Sequence, residues 1–493
     1  MINFDNIGDN NRIPLVQIEI NNSMAVTGTP PQRQAVLLFG QRNRNAFGAV
    51  DSPVRITRAS QATELWGRGS MIAQMVAAFI AINPDTELYG IAQGEGTGTA
   101  TSGTITLSGT ATEDNVLNLY VAGRPYRLAV SKGKPGNLLA DALAAMINAD
   151  QDSPVSASTS VPADNQDQTK KVITLAAKFT GECSVHDIRL NYYSGEVTPA
   201  GLVVSVAGGT APKNPDITNS IAAMGTRQYN YIVMPYKDAA NLKILSEELL
   251  KRWGPVKMSD GMVWMAHTGT FGTATSFGES RNDFLFTCTS IPKAPEPDYV
   301  WAASICAVCA PSLSADPARP LQTLALPARL APAESDRLTR EERNSLLYTG
   351  MSTVTVAAAD VVQIERQVTM YRQNAYSESD PSYLDVETIY TLSYLRYSLR
   401  TFITQRFPRH KLADNGTPVR PGQNIVTPEI MMLQLIALGE EWVDLGLVEN
   451  LDTFKKNLLV ERNTKDRNRL DVMCTPDLVN QFRFMAAQIR FIL

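Results

Sequence analysis

Near its start the chain alternates apolar and polar residues in "RIPLVQIEI", which puts Val16, Ile18 and Ile20 on one face and Gln17 and Glu19 on the other. A period of two is that of a strand with one buried face. The pattern returns at the far end, in "NQFRFMAAQIRFIL". There Met485, Ala487, Ile489, Phe491 and Leu493 fall on alternate positions, with Gln488 and Arg490 between them. Terminal residues usually fray into polar tails, because few contacts offset the entropy lost on ordering. Two apolar, strand-like ends therefore call for sheet edges that receive them.

Between the ends, "QAVLLFG" reads as a buried strand, "SMIAQMVAAFIAINP" as a helix begun by Ser70 and stopped by Pro84, and "ELYGIA" as a second strand. The Gly/Thr/Ser-rich "QGEGTGTATSGTITLSGTATEDN" then breaks the pattern and reads as a flexible junction into an inserted domain. Within the insert, "VLNLYV" and "PYRLAV" flank "AGR" as a hairpin, and "NLLADALAAMINAD" has helical spacing. "KVITLAAKF", "IRLNYY" and "GLVVSVAG" follow as strands, and "GGTAPKNPD" leads out. The alternation then resumes: "YNYIVMPY", "GMVWMAHTG" and "FLFTCTS" as strands, "AANLKILSEELLKRW" and "YVWAASICAVCA" as helices. Such alternation predicts an α/β layer.

Beyond a Pro-rich stretch, Thr339 and Glu342 have capping-box spacing in "TREERNSLLYTG". "STVTVAA" and "VQIERQVTMYR" predict a strand pair. Two amphipathic helices follow: "SYLDVETIYTLSYLRYSLRTFITQRF", stopped by Pro408, and "PEIMMLQLIALGEEWVDLG", with Pro428 at its start and Gly446 at its end. The predicted fold class is multidomain, α/β and α+β. It has an α/β core at 25–93 and 213–330, a β-rich insert at 94–212 and an α+β domain at 331–480, with strand-forming arms at 1–24 and 481–493.

At 493 residues the chain is too long for one core. Lys and Arg number 45 against 49 Asp and Glu, so it lacks the global basic excess with which nucleic-acid binders neutralise phosphate. The opening "MINFDNIGDN" has neither the basic nor the apolar region of a signal peptide, and no run approaches the ~18 apolar residues of a membrane span. A soluble chain made in a cytoplasm is the expectation, with no direct nucleic acid and no membrane insertion.

Chemistry is sparse. Cys306 and Cys309 form the one C-x-x-C, without the second pair that zinc needs, and their apolar neighbours predict a buried helix. Gly94, Gly96 and Gly98 run into a β pattern rather than a helix, so they lack the context of a phosphate loop. His186, His267 and His410 have no second histidine at metal spacing. His267 stands beside "TGTFGTATSFG", the best place for a ligand loop, but has no Lys, Cys or clustered carboxylate with it. No G-x-S-x-G occurs. Glu378, Asp380 and Asp385 stand around a proline at spacing too irregular for a metal site and read instead as a helix N-terminal turn, where carboxylates favour the dipole. Tyr371, Tyr390, Tyr394 and Tyr397 read as core or interface residues. No cofactor, metal or catalytic residue is expected, and the chain is not expected to be an enzyme.

Several long segments, in order, resemble contractile phage tail sheath proteins of the Mu-like group. They are "ELWGRGSMIAQMVAAFIAINPDTELYGIA", "REERNSLLYTGMSTVTV", "IERQVTMYR", "DPSYLDVETIYTLSYLR", "PRHKLAD" and "NRLDVMCTPDLVNQFR". The resemblance implies a virion subunit, assembled in the host cytoplasm, that stacks as hexameric rings in a six-start helix around a tail tube protein. Baseplate and tail terminator proteins would be its other partners. It implies terminal arms that add strands to a sheet in a neighbouring subunit, and contraction that drives the tube through the bacterial envelope. The insert, 94–212, matches least and is expected to project outward.

The residue pattern supports the arms separately, since an exposed apolar strand is an aggregation liability unless another edge takes it up. About twenty extended residues reach about 65 Å, enough to cross to a neighbour. Val16, Ile18, Ile20, Met485, Ile489, Phe491 and Leu493 are therefore the expected subunit-linkage residues. Pairing of both ends within their own chain is the competing reading. A soluble α/β nucleotide-binding enzyme and a non-contractile tail component are the alternatives for the whole protein.

Overall fold

Ala35–Gln41 (β1) is buried at every residue, as a strand covered on both faces must be. The computed structural model describes residues 29–99, 101–162, 166–418, 420 and 422–492. Among these, one compact unit comprises Arg33–Ser393 and 480–492, and a second comprises 29–32 and Tyr394–Val479.

In the first unit β1 is followed by Pro53–Ile56 (β2), the helices Ala59–Trp66 (α1) and Met71–Ile82 (α2), and Glu87–Gln93 (β3). The Ser70 hydroxyl caps α2 by accepting from Ala73 N–H at 3.3 Å. β3 runs parallel to β1, with Val36 opposite Leu88, and β2 closes that side antiparallel to β3.

The insert then begins with strands Thr101–Gly109 (β4), Asn115–Val121 (β5) and Arg124–Val130 (β6) and helix Gly136–Ala149 (α3). Strands Val155–Ser160 (β7), Lys171–Ala177 (β8), Ile188–Leu190 (β9) and Leu202–Thr210 (β10) complete it. They make one sheet in the order β10-β4-β8-β7 and another in the order β6-β5-β9. Ile105, Leu117, Leu119, Leu143, Ile147, Ile173 and Leu175 form a core separate from that of the α/β layer.

The junction differs from the flexible tether expected of its glycines. Gly96 N–H donates to Thr180 O at 2.7 Å, and Thr97 bridges Lys213, so the entry and exit of the insert cross in contact. Gly96 is glycine because a Cβ there would lie 2.1 Å from Lys213 O and 2.5 Å from Thr180 O.

After the insert come Thr218–Ala223 (α4), Tyr231–Val233 (β11), Ala239–Trp253 (α5), Met262–His267 (β12), Phe271–Glu279 (α6), Phe286–Ser290 (β13) and Asp298–Ala315 (α7). Arg340–Tyr348 (α8) has the expected capping box, and Ser352–Val356 (β14) and Val362–Arg366 (β15) are the expected strand pair. The large sheet runs β15-β14-β13-β12-β11-β1-β3-β2. Strands β14 to β11 are parallel to β1, while β15 is antiparallel. β14 and β15, assigned by sequence to a C-terminal domain starting at 331, thus complete the core sheet instead. The Pro-rich stretch before them runs along β15, with Leu326 N–H donating to Val362 O and with Leu321 and Leu326 buried in the core, and prolines mark a turn equally well inside a domain. "TGTFGTATSFG", read as a loop, is helix α6, begun by Thr270.

The core of this unit gathers Trp66, Trp264 and Trp301, all buried, with Cys306 and Cys309 on α7 fully enclosed. Burial raises both thiols well above their ordinary value, so they behave as small apolar groups. The helix Val386–Arg406 (α9) starts here, and its Tyr390 ring stacks on Tyr231 at 5.0 Å and accepts from Trp264 Nε1 at 3.0 Å.

The second unit holds the rest of α9, the short strands Lys411–Leu412 (β16) and Ile425–Val426 (β17), and Pro428–Asp444 (α10). Val448–Glu449 (β18), Leu451–Asn457 (α11), Leu459–Arg462 (β19), Leu470–Met473 (β20) and Asp477–Leu478 (β21) follow. Its core is Leu395, Phe402, Leu435, Leu438, Trp442 and Phe454. Trp442 Nε1 donates to Ser398 Oγ at 2.8 Å, which joins α10 to α9.

The packed junction makes a prediction. Gly96→Ala should destabilise the first unit by about 1–3 kcal/mol through overpacking. Gly94→Ala, whose Cβ would meet nothing nearer than 4.0 Å, should leave thermal unfolding unchanged. Equal melting temperatures for the two variants would show the junction to be loose.

Candidate assembly interface

Two places in the first unit compete for a functional role: the carboxyl edge of the parallel sheet and the C-terminal arm. In a doubly wound layer, ligands bind outside the carboxyl ends of the strands where the strand order reverses. Here that point lies between β1 and β11. It is filled by the insert: Gln41 Nε2, at the end of β1, donates to Thr180 O at 2.6 Å and to Gly94 O at 3.0 Å. Phe179 is fully buried beside it.

Further along the same edge a cleft of about 570 Å³ holds Cys183, His186, Lys237 and Asp298. Its charges are already matched, since Lys237 pairs with Asp298. The His186 ring lies edge-on to Phe179 and Tyr299, with centroids 5.7 and 6.4 Å away, and burial lowers its pKa to about 4. His267 ends β12 as expected, stacks on Phe277 at 6.0 Å, and accepts from Gly269 N–H. Its pKa is also lowered to about 4, first by burial and then by the Lys237 charge. Both rings are therefore neutral packing elements of the folded state. Among the described residues, no three His, Cys, Asp or Glu side chains are grouped to hold a metal ion, and no helix is long and apolar enough to cross a membrane.

The arm is different. Residues 480–492 form no strand with any described residue of their own chain. Met485, Ile489 and Phe491 are 71%, 91% and 79% exposed. The expected single buried face is thus not formed against the described residues, and Phe482, Phe484 and Ile492 add exposed apolar groups on the intervening positions. Val16, Ile18, Ile20 and Leu493 lie outside the described residues.

At its root the arm is held. Arg483 Nη2 reaches Glu387 Oε1 at 2.9 Å and Asp385 Oδ1 at 3.2 Å. Leu321 N–H donates to the same Glu387 oxygen at 3.0 Å, and Arg366 forks onto both oxygens of Asp385 at 2.9 and 3.0 Å. Gln322 Nε2 donates to Phe482 O, and Gln481 Nε2 to Ala318 O. Arg483 and Glu387 were not legible as a pair, because 96 residues of sequence separate them. The available signal was an arginine inside an apolar tail.

In the second unit, residues at the other end of the chain are likewise fixed. Thr29 N–H donates to Glu441 Oε1 at 2.7 Å, and Tyr397 OH to Pro30 O at 3.2 Å. The hairpin β19–β20 has no third strand among the described residues. It exposes Leu459, Val472 and Met473.

An α/β body fills its own crevice and extends an apolar arm that pairs with no strand among the described residues. Residues 210–370 match the phage tail sheath protein central domain, and residues 378–492 match the phage tail sheath C-terminal domain. The chain is 43% identical over 495 aligned residues to the Mu-like prophage FluMu tail sheath protein of Haemophilus influenzae, covering 100% of both. The chain belongs to this family, the Mu-like phage tail sheath proteins, and is a structural subunit of a contractile tail sheath.

Among solved structures, the sheath tail protein of Desulfitobacterium hafniense is similar at 12% identity and a TM-score of 0.46, over 94% of this chain and 100% of that one. The contracted helical sheath of the anti-feeding prophage is similar at 8% identity and a TM-score of 0.48, over 97% and 99%.

The buried histidine gives a pH dependence whose sign is fixed. His186 titrates near its ordinary 6.5 when unfolded and at about 4 when folded. Its contribution is present above 6.5 and is lost as pH falls toward 4, by up to about 3 kcal/mol at about 1.4 kcal/mol per unit. Urea unfolding should weaken between pH 7 and pH 4.5, and His186→Leu should flatten that slope. Parallel pH profiles for wild type and variant would refute it.

Proposed function

We propose that this sheath subunit polymerises by strand exchange around a tail tube, as stacked hexameric rings in a six-start helix. On contraction the arms hold the lattice together while the tube is driven through the bacterial envelope. The observation that carries this reading is the C-terminal arm: nine consecutive exposed residues from Phe484 to Ile492, rich in apolar side chains and paired with no strand among the described residues. An edge of that kind stays soluble when a neighbour's sheet takes it up. The β19–β20 hairpin, with no third strand among the described residues and with exposed Leu459, Val472 and Met473, is the receiving sheet.

A subunit that both donates and receives makes head-to-tail contacts, which close into rings or propagate as helices. Met485, Ile489, Phe491 and Leu493 are the linking residues of this arm, and Val16, Ile18 and Ile20 those of the N-terminal one. The insert, 94–212, is the outer domain and is dispensable to the lattice; its separate core supports that placement. The partners are further copies of the chain, the tail tube protein, and baseplate and terminator proteins. The subunit has no catalytic role and assembles in the host cytoplasm.

Negative-stain microscopy of the intact protein and of a chain truncated after Asn480 tests the reading. The intact protein should form rings or hollow tubes and the truncated one should stay dispersed. Ile489→Asp and Phe491→Asp place an unpaired charge in the new interface and should raise the concentration needed for assembly by about tenfold or more. Tubes formed normally by the truncated chain would sink the proposal.

A further inference from the structure

Strand exchange explains why residues 484–492 are exposed, but it does not explain why a charged residue is packed beneath them. Arg483 is the point at which exposure changes: its side chain is 16% exposed, whereas everything described beyond it faces solvent. The Glu387 side chain it reaches has no exposure at all. An isolated buried carboxylate is costly, and the attraction of a nearby cation offsets the cost only while the cation stays in place. The other guanidinium at the site, Arg366, is already forked onto Asp385. Burial raises the pKa of Glu387 while the Arg483 charge opposes that shift. Glu387 also lies in the first turn of α9, where the helix dipole favours an anion.

We propose that Arg483 is a positioning latch: seated on Glu387 and Asp385, it fixes the place and direction in which the C-terminal arm leaves the subunit. This rests on the strand-exchange reading and adds the residue that sets the arm's geometry. Lifting the root would strand Glu387 without its cation and release the carbonyl of Phe482 from Gln322. The arm therefore bends beyond Arg483 and not before it. A fixed root shortens the free tether to residues 484–492, which raises the local concentration of the strand at the neighbour and lowers the entropy lost on pairing. It also sets the register, because the first residue available for pairing is always Phe484.

Trypsin cleaves after arginine, and the arm carries two sites, Arg483 and Arg490. On dispersed full-length protein, mass spectrometry should find cleavage after Arg490 at least about tenfold faster than after Arg483, since cutting follows the population of the opened root. Glu387→Gln should bring the two rates together. Equal rates in the wild type would overturn the latch.

For assembly, the double variant Arg483→Gln with Glu387→Gln removes both charges and so leaves no lone buried ion. It should melt like wild type yet need about tenfold more protein to form tubes, a ratio read directly by pelleting. Arg483→Lys in the wild-type background should assemble near normally. If the double variant assembles at the wild-type concentration while the chain ending at Asn480 does not, the latch is wrong and strand exchange stands. If the truncated chain assembles as well, both are wrong.

Discussion

Peptide N–H and C=O groups removed from water must find partners, and in this subunit that requirement is met in two ways. In the body, the central strands are hydrogen-bonded on both sides and roofed by helices, so β1, β12 and β13 are buried along their whole length. At the C-terminus the groups are unpaired and solvated, although the side chains around them are those of a buried strand. That mismatch between composition and surroundings is what the proposed strand exchange would resolve.

The same accounting explains why an α/β layer here carries no ligand loop at its reversal point. The insert enters and leaves beside β1 and β3, and its return segment, Phe179 to Gly181, occupies the crevice that such layers otherwise leave open. The Gln41 amide nitrogen, buried in that position, finds its acceptors at Gly94 O and Thr180 O. The inserted domain is thus tied to the body by packed polar contacts, with Gly96 permitting the crossing of its two connections.

Periodic features of the fold were legible in the sequence. Ser70, Thr339 with Glu342, and Pro428 announced helix starts, and each cap is formed. The hairpin around Ala122 and Gly123 and the buried helix of Cys306 and Cys309 follow equally local rules. What escaped depends on distance along the chain. β14 and β15 join the core sheet through pairing with β13, more than sixty positions away, which no local pattern encodes. The glycines of the junction signal flexibility by composition, but contacts with Thr180 and Lys213 make them a tight crossing. For the arm, the period of two announced a strand, and only the structure shows both faces of that segment open to solvent. Arg483 looked like an interruption of the apolar pattern because Glu387 was nowhere near it in sequence.

The arm also has to remain soluble before assembly, and its residues divide that task. A flat, uncharged apolar edge would pair with any strand it met. Gln488 and Arg490 interrupt the apolar run on either side of Ile489, so random stacking brings like charges together, whereas a specific receiving edge can place the guanidinium at its rim. Arg483 does the opposite job with the same chemistry: it is buried, paired and committed to its own subunit. On the strand-exchange reading, one arginine restrains the root and the other interrupts the apolar positions near the tip, with Met485 and Ile489 before it and Phe491 after it as the linking residues. The division accounts for an arm that is ordered where it departs, open where it binds, and charged at both limits.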